Sequence, residues 1–260
     1  MPVPGRLEKL ARLTRKAGGE ILRIRALGVK AREKADKSPV TAADEAAEAI
    51  ILEGLGRMWP DIPVIAEESV AAGILPDVGK RFFLVDPLDG TKSFIAGRED
   101  FTVNIALIED GAPVSGVVFV PATGALFAGE QGAGAFFARG EGALAPLKSA
   151  GERRGGLRAV ASLHHRDTKT DAWLKARGIT DVLAVGSSLK LCALAEKKAD
   201  VYPRFGRTME WDIAAGQAVL EAAGGRVLEM ESGRPLRYGK KARGYDNPPF
   251  VAWAPGAGPR

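Results

Sequence analysis

Asp86-Pro87-Leu88-Asp89-Gly90-Thr91 sets two carboxylates, a glycine and a hydroxyl within one short stretch. The run Phe82 to Val85 ahead of it has the bulk and branching of a buried strand. Asp-Pro is expected to end that strand, because proline fixes its own φ and has no N–H to donate. Asp89 then falls on a turn in which Gly90 has no Cβ to bar a close ligand. Thr91 is placed to cap whatever helix follows, leaving N–H groups turned toward an anion. Two carboxylates beside an anion-binding turn repel one another unless a cation lies between them. An all-oxygen donor set suits Mg²⁺, which binds through a few carboxylates together with substrate phosphate. A strand followed by an ordinary Asp-Gly turn accounts for the same residues taken alone. Asp44, Glu67 and Asp212 shift the balance, since each stands at an expected strand end or helix start, where α/β folds gather their sites.

The elements that must position these acids are legible from periodicity. Leu7, Leu10, Ala11, Leu13, Ala17, Ile21 and Ile24 recur at helical spacing with Lys and Arg between them, predicting an amphipathic helix that ends near Gly28. A polar loop from Asp36 stops at Thr41, which opens a second helix to about Trp59. There Asp44 has two readings, a capping-box partner of Thr41 and a functional acid, and both are possible at once. Ile62 to Ala66 is a short strand delivering Glu67-Glu68, a pair that a solvated turn also explains. Phe101 to Ile108, Val114 to Val120, Ala125 to Ala128 and Ala135 to Ala138, split by glycine-rich turns, predict an antiparallel meander. Ser149 to Gly156 is small, charged and glycine-containing, and marks a boundary between an N-terminal half, 1–148, and a C-terminal half, 149–260. Beyond it strands at Leu157 to Ala161, Val182 to Val185, Val201 to Tyr202 and Arg226 to Glu229 alternate with helices at Thr170 to Arg177, Ser187 to Lys198 and Asp212 to Ala223. That alternation is an α/β pattern. The last few residues, rich in Gly and Pro, are expected to fray.

Composition narrows the class. A chain of 260 residues with 46% hydrophobic content can bury a large core. No apolar run reaches the roughly 20 residues that span a bilayer, and Met1 to Arg25 lacks a signal-peptide core, so a cytoplasmic location is expected. The single cysteine, Cys192, and the pair His164 and His165 leave little for a thiolate or imidazole metal site. The net charge of +5 is spread rather than clustered, which speaks against nucleic-acid binding and for attraction of a small polyanion.

Four stretches in order, Pro39-Val40-Thr41-Ala42-Ala43-Asp44, Glu67-Glu68-Ser69, Asp86 to Thr91 and Trp211-Asp212-Ile213-Ala214-Ala215-Gly216, resemble the signature set of the inositol monophosphatase superfamily. The resemblance implies an α/β (α+β) fold, a layered αβαβα sandwich, and a Mg²⁺-dependent, lithium-sensitive phosphatase using two or three ions. Lys92, Asp100 to Leu107, Gly186-Ser187-Ser188-Leu189-Lys190 and Tyr202-Pro203-Arg204-Phe205-Gly206 resemble its branch of 3′(2′),5′-bisphosphate nucleotidases. Ser162-Leu163-His164-His165 departs from the Ser-Arg-Ser-His common there. By the same resemblance Glu67, Asp86 and the Leu88 carbonyl hold one metal, and Asp86, Asp89 and Asp212 a second. Thr91, oriented by Asp44, positions the attacking water with Glu67, and the backbone of Gly90 and Thr91 holds the scissile phosphate. Leu88, Asp89, Ser187, Lys190, Arg204 and Asp212 complete the implied substrate contacts, with Lys190 and Arg204 for a second phosphate. Plain surface charge is the competing account of that last pair, and packing that of Trp211. The implied substrate is 3′-phosphoadenosine 5′-phosphate or its sulfate-bearing analogue. Inositol 1-phosphate is the alternative, and a non-catalytic nucleotide- or nucleic-acid-binding protein a third reading. A homodimer and peripheral attachment to the inner membrane are left open.

Overall fold

A computed structural model of the chain describes residues 2–29, 31–33, 39–149, 155–162 and 167–258. The helices α1 (Gly5–Ala26) and α2 (Ala42–Met58) lie side by side, linked through a hairpin of β1 (Ala31–Glu33) and β2 (Pro39–Thr41). They cover a seven-stranded sheet running in spatial order from β3 (Val64–Ala66) through β4 (Arg81–Asp89), β5 (Thr102–Glu109), β6 (Ala112–Val120), β7 (Ala125–Glu130) and β8 (Gly134–Arg139) to β9 (Ala145–Pro146). The short helices α3 (Glu67–Ala71) and α4 (Thr91–Ile95) follow β3 and β4. The C-terminal half builds a second sheet from β10 (Arg158–Ser162), β11 (Asp181–Val185), β12 (Val201–Arg204), β13 (Arg226–Glu229) and β14 (Phe250–Trp253), in spatial order β11, β10, β12, β14, β13. Its helices are α5 (Thr168–Ala176), α6 (Leu189–Ala195) and α7 (Glu210–Ala222).

The layers are αβαβα. Alternation along β4 shows why: Phe83 and Val85 join the core with Leu10, Ile51 and Leu55 of α1 and α2, while Phe82 and Leu84 join the core with Leu191, Leu194, Ala215 and Val219 of α6 and α7. Both faces of the strand are covered, so it reads as a continuous apolar run, and the same alternation turns Asp86 toward α7. The far face of the second sheet packs Ala159, Val201, Val251 and Trp253 against Leu174 of α5. The seven-stranded sheet draws on residues 64–146 and the five-stranded sheet on residues 158–253, and α6 and α7 share one core with both.

Helix α7 is buried on nearly all sides and is made close-fitting by Ala214, Ala215, Gly216 and Ala218. Facing it, Gly116 of β6 leaves no room: an added Cβ would meet the Ala215 carbonyl oxygen at 2.6 Å and Ala218 Cβ at 2.7 Å. Gly116→Ala is therefore expected to cost about 1–3 kcal/mol, the usual range for overpacking. Gly56→Ala, at an open helical position, should be neutral or stabilising. Thermal unfolding of the two variants checks this, and equal Tm values would refute the tight packing.

Two expectations are corrected and one strand is added. β4 does not end at Asp86-Pro87 but continues to Asp89, with its register against β5 shifting between Asp86, opposite Asn104, and Asp89, opposite Thr102. Pro87 sits in that bulge, where its missing donor is tolerated. Thr91 is not the cap of α4: Gly90 is, in a left-handed conformation at φ 93°. Near the C-terminus, Phe250 to Trp253 is a fully buried strand between β12 and β13, hidden in sequence by the prolines that bound it.

Candidate active site

α2 starts at Thr41, whose hydroxyl accepts from Ala43 N, while Asp44 Oδ2 accepts from Thr41 N at 2.8 Å and from Thr41 Oγ1 at 2.7 Å. Asp44 Oδ1 accepts from Thr91 Oγ1 at 3.0 Å. Asp44 thus closes the capping box through one oxygen and reaches Thr91 through the other. The Thr91 hydroxyl also lies 3.2 Å from the Leu88 carbonyl oxygen, so its proton is directed at the protein and its lone pairs are left for a water.

The β4 bulge presents Asp86 and Asp89. Asp86 is 1% exposed and accepts from Leu88 N at 3.1 Å. Asp89 accepts from the Ser188 backbone N–H at 2.7 Å and Ser188 Oγ at 3.0 Å. Ser188 Oγ also reaches the Asp212 carbonyl at 2.7 Å and accepts from Asn104 Nδ2 at 2.9 Å, which ties β4, β5 and α7 at one point. Asp212 lies in the first turn of α7 and accepts from Met209 N at 2.8 Å, with Trp211 packed beside Tyr245. Glu67 opens α3.

These acids share one electrostatic environment. Burial, then repulsion from Glu67, Asp89, Asp212 and Asp44, raises the Asp86 pKa well above the usual carboxylate range. Burial pushes Asp212 up to about 8, with Asp89 and Glu67 adding to it. Asp89 is raised by burial as well, opposed by Lys190 and Ser188. Among the described residues no three such groups stand ready around a single point to hold a metal ion. Their chemistry fits one: the donors are all oxygens, and their mutual repulsion when ionised is relieved by a hard divalent ion.

The signs give a testable pH dependence. Folded pKa values above about 3.9, the unfolded reference for Asp, mean that the metal-free fold binds extra protons, so its stability is full near pH 4 and is lost as pH rises toward about 8. Mg²⁺ competes with those protons, so the Tm increment it gives should grow from pH 5 to pH 8. Lys190, lowered by burial to about 8, acts in the opposite sense above that pH. An increment that shrinks over pH 5 to 8 would contradict the assignment.

A cavity of about 350 Å³ opens over the acids, lined by Glu67, Asp89, Thr91 and Asp212 and, from the C-terminal half, by Ser187, Lys190, Tyr202, Arg204 and Arg207. Lys190 Nζ donates to the Ser187 carbonyl at 2.6 Å and lies over the Tyr202 ring at 5.6 Å. Arg204 Nη2 donates to the Arg207 carbonyl at 3.0 Å. Ser187 adopts φ 40°, an uncommon conformation for a residue with a side chain, between Gly186 and Ser188. Asp44, Glu67, Asp86, Leu88, Asp89, Gly90, Thr91 and Asp212 are thus brought together with Ser187, Lys190 and Arg204. His164 and His165 lie outside the described residues. Asn104, Ser188 and Tyr202 also belong to the surroundings, within the stretches that resemble the nucleotidase branch but with no role assigned to them there; Glu48 and Arg207 lie outside those stretches, and their signal is burial or cavity lining, which spacing does not encode.

This acid-lined cleft between two stacked sheets defines a phosphatase-type site, and a model of the inositol monophosphatase family matches residues 6–250. The chain belongs to that family. It is 42% identical over 247 residues to the 3′(2′),5′-bisphosphate nucleotidase CysQ of Salmonella typhimurium, covering 94% of this chain and 98% of that protein. The crystal structure of CysQ from Bacteroides thetaiotaomicron superposes with a TM-score of 0.79 at 36% identity, covering 95% of this chain and 97% of the other. The inositol monophosphatase of Thermotoga maritima superposes with a TM-score of 0.78 at 26% identity, covering 96% and 92%. No helix among the described residues is long and apolar enough to cross a membrane.

Proposed function

We propose that this chain hydrolyses the 3′-phosphate of 3′-phosphoadenosine 5′-phosphate, giving AMP and phosphate, and acts likewise on the sulfate-bearing analogue. The observation that carries this reading is one cavity whose lining sets Glu67, Asp89 and Asp212 together with Lys190, Arg204 and Arg207. A nucleotide with two phosphates needs both kinds of group. The near full-length likeness to CysQ nucleotidases supports the same substrate class.

Glu67, Asp86, the Leu88 carbonyl, Asp89 and Asp212 would hold Mg²⁺, which when bound supplies charge neutralisation and acidifies water for an in-line displacement. The chain's own work is positioning. Thr91, held by Asp44, and Glu67 orient the water. The Gly90 and Thr91 amides donate to the scissile phosphate, while Lys190 and Arg204 hold the phosphate that does not react. Arg204 can do so bidentately, whereas Lys190 is a point charge. A cytoplasmic location accompanies this substrate.

Phosphate release from 3′-phosphoadenosine 5′-phosphate and from inositol 1-phosphate, each with Mg²⁺, with EDTA and with added Li⁺, tests the reading. Release is expected to be faster from the nucleotide, absent in EDTA, restored by Mg²⁺ and inhibited by Li⁺. Faster release from inositol phosphate would transfer the substrate assignment to the sugar phosphate. Full activity in chelator would end the metal assignment.

A further inference from the structure

Glu48 is 5% exposed, and the reaction as described makes no use of it. It lies on α2 one turn after Asp44, so the two carboxylates share a helix face. Each reaches out of α2 to a different five-residue helix. Asp44 holds Thr91, the first residue of α4. Glu48 Oε2 accepts from Glu68 N at 2.8 Å, and Oε1 accepts from Ser69 N at 2.8 Å and Ser69 Oγ at 2.6 Å, at the start of α3. Ala66, the residue before α3, makes no side-chain cap. A helix this short does not hold its own first turn, and the donors exposed there need an acceptor. Glu48 is that acceptor, supplied by another helix.

We propose that Glu48 is a positioning residue that fixes the first turn of α3 and thereby aims Glu67 at the cation site. α2 then acts as a rigid spacer between the two residues that orient the water, with Asp44 setting Thr91 and Glu48 setting Glu67. This rests on the reading of Glu67 as a metal ligand. Glu48→Gln keeps the shape but turns an amide N–H toward one of the donors, so it loosens α3 without opening a cavity.

The test is calorimetric titration of Mg²⁺ into metal-free wild type, Glu48→Gln, Ser69→Ala and Glu67→Gln, together with Tm in EDTA and kcat at saturating Mg²⁺. Loss of an outer-shell partner typically costs roughly 10–100-fold in metal affinity. Glu48→Gln should weaken Mg²⁺ binding by about that factor, and Ser69→Ala less. With saturating Mg²⁺, the kcat of Glu48→Gln should return to within a few-fold of wild type. If Glu67→Gln leaves Mg²⁺ affinity unchanged, the ligand assignment of Glu67 has failed, and this proposal with it. If Glu67→Gln weakens binding and Glu48→Gln does not, whatever happens to Tm, Glu48 only supports the fold and the proposal alone is overturned. A kcat loss in Glu48→Gln that Mg²⁺ cannot restore overturns it too, by placing Glu48 in the reaction.

Discussion

Asp89→Asn should lose far more than the roughly 10–100-fold in turnover that outer-shell partners of a metal cost, with the metal-free protein at least as stable as wild type. Asp89 ends β4 where a bulge turns the strand, and its bonds to Ser188 N and Oγ pin the loop before α6 to the first sheet. An asparagine carbonyl can still accept from Ser188 N, so the loop is kept. The negative charge is lost. Repulsion from Asp89 helps raise both Asp86 and Asp212, and removing it relieves that strain in the empty site. Against that gain, the variant loses the charge that favours protonation of buried Lys190, so the two effects partly offset. The variant should therefore combine a collapsed kcat at saturating Mg²⁺ with an unchanged or higher Tm in EDTA. Turnover within about threefold of wild type, an energy change under 1 kcal/mol, would sink the role of Asp89 in the site.

The acids were legible because each stands where a strongly patterned element ends or begins. Phe82 to Val85 has the bulk and branching of a buried strand and lies in β4, and the helical stripe from Leu7 to Ile24 lies in α1 (Gly5–Ala26). The alternation after residue 156 gave a second sheet in which β10 runs parallel to β11 and β12. What failed was local. Pro87 was read as a strand end because proline removes a ladder bond, but a bulge absorbs that loss and lengthens β4 to the second aspartate. The consequence is chemical: Asp86 and Asp89 stand on one strand and not on a strand and a turn, so their separation is set by sheet geometry.

Residues that hold the acids in place were harder to foresee. Ser188, Asn104 and Glu48 contact positions distant in sequence, with Asn104 bonding across 84 residues and Glu48 across 20 and 21. Their types occur anywhere in a soluble chain, and only the packing of α2, α6 and β5 reveals them. Motif matches therefore located the groups that would meet a cation, gave Asn104 and Ser188 no role, and missed Glu48 altogether.

Arg204→Ala tests substrate choice. Arg204 leaves β12 beside the cavity, and its guanidinium lies over the loop at Gly206, where an added Cβ would meet Arg204 Cζ at 3.3 Å. The loop thus holds the side chain in place, which lowers the entropy lost on binding phosphate. A charge-assisted hydrogen bond contributes about 1.5–3 kcal/mol, so kcat/KM for 3′-phosphoadenosine 5′-phosphate should fall roughly 10- to 150-fold. Inositol 1-phosphate has no second phosphate to lose, and its slower turnover should barely move. The ratio of the two kcat/KM values should then approach unity, because specificity is a difference in transition-state binding. Equal losses on both substrates would mean that the bond from Arg204 to the Arg207 carbonyl supports the cavity wall and nothing more. Unchanged values on both would return Arg204 to ordinary surface charge, and Lys190, buried and close to Asp89, would then be left as the cation for the second phosphate.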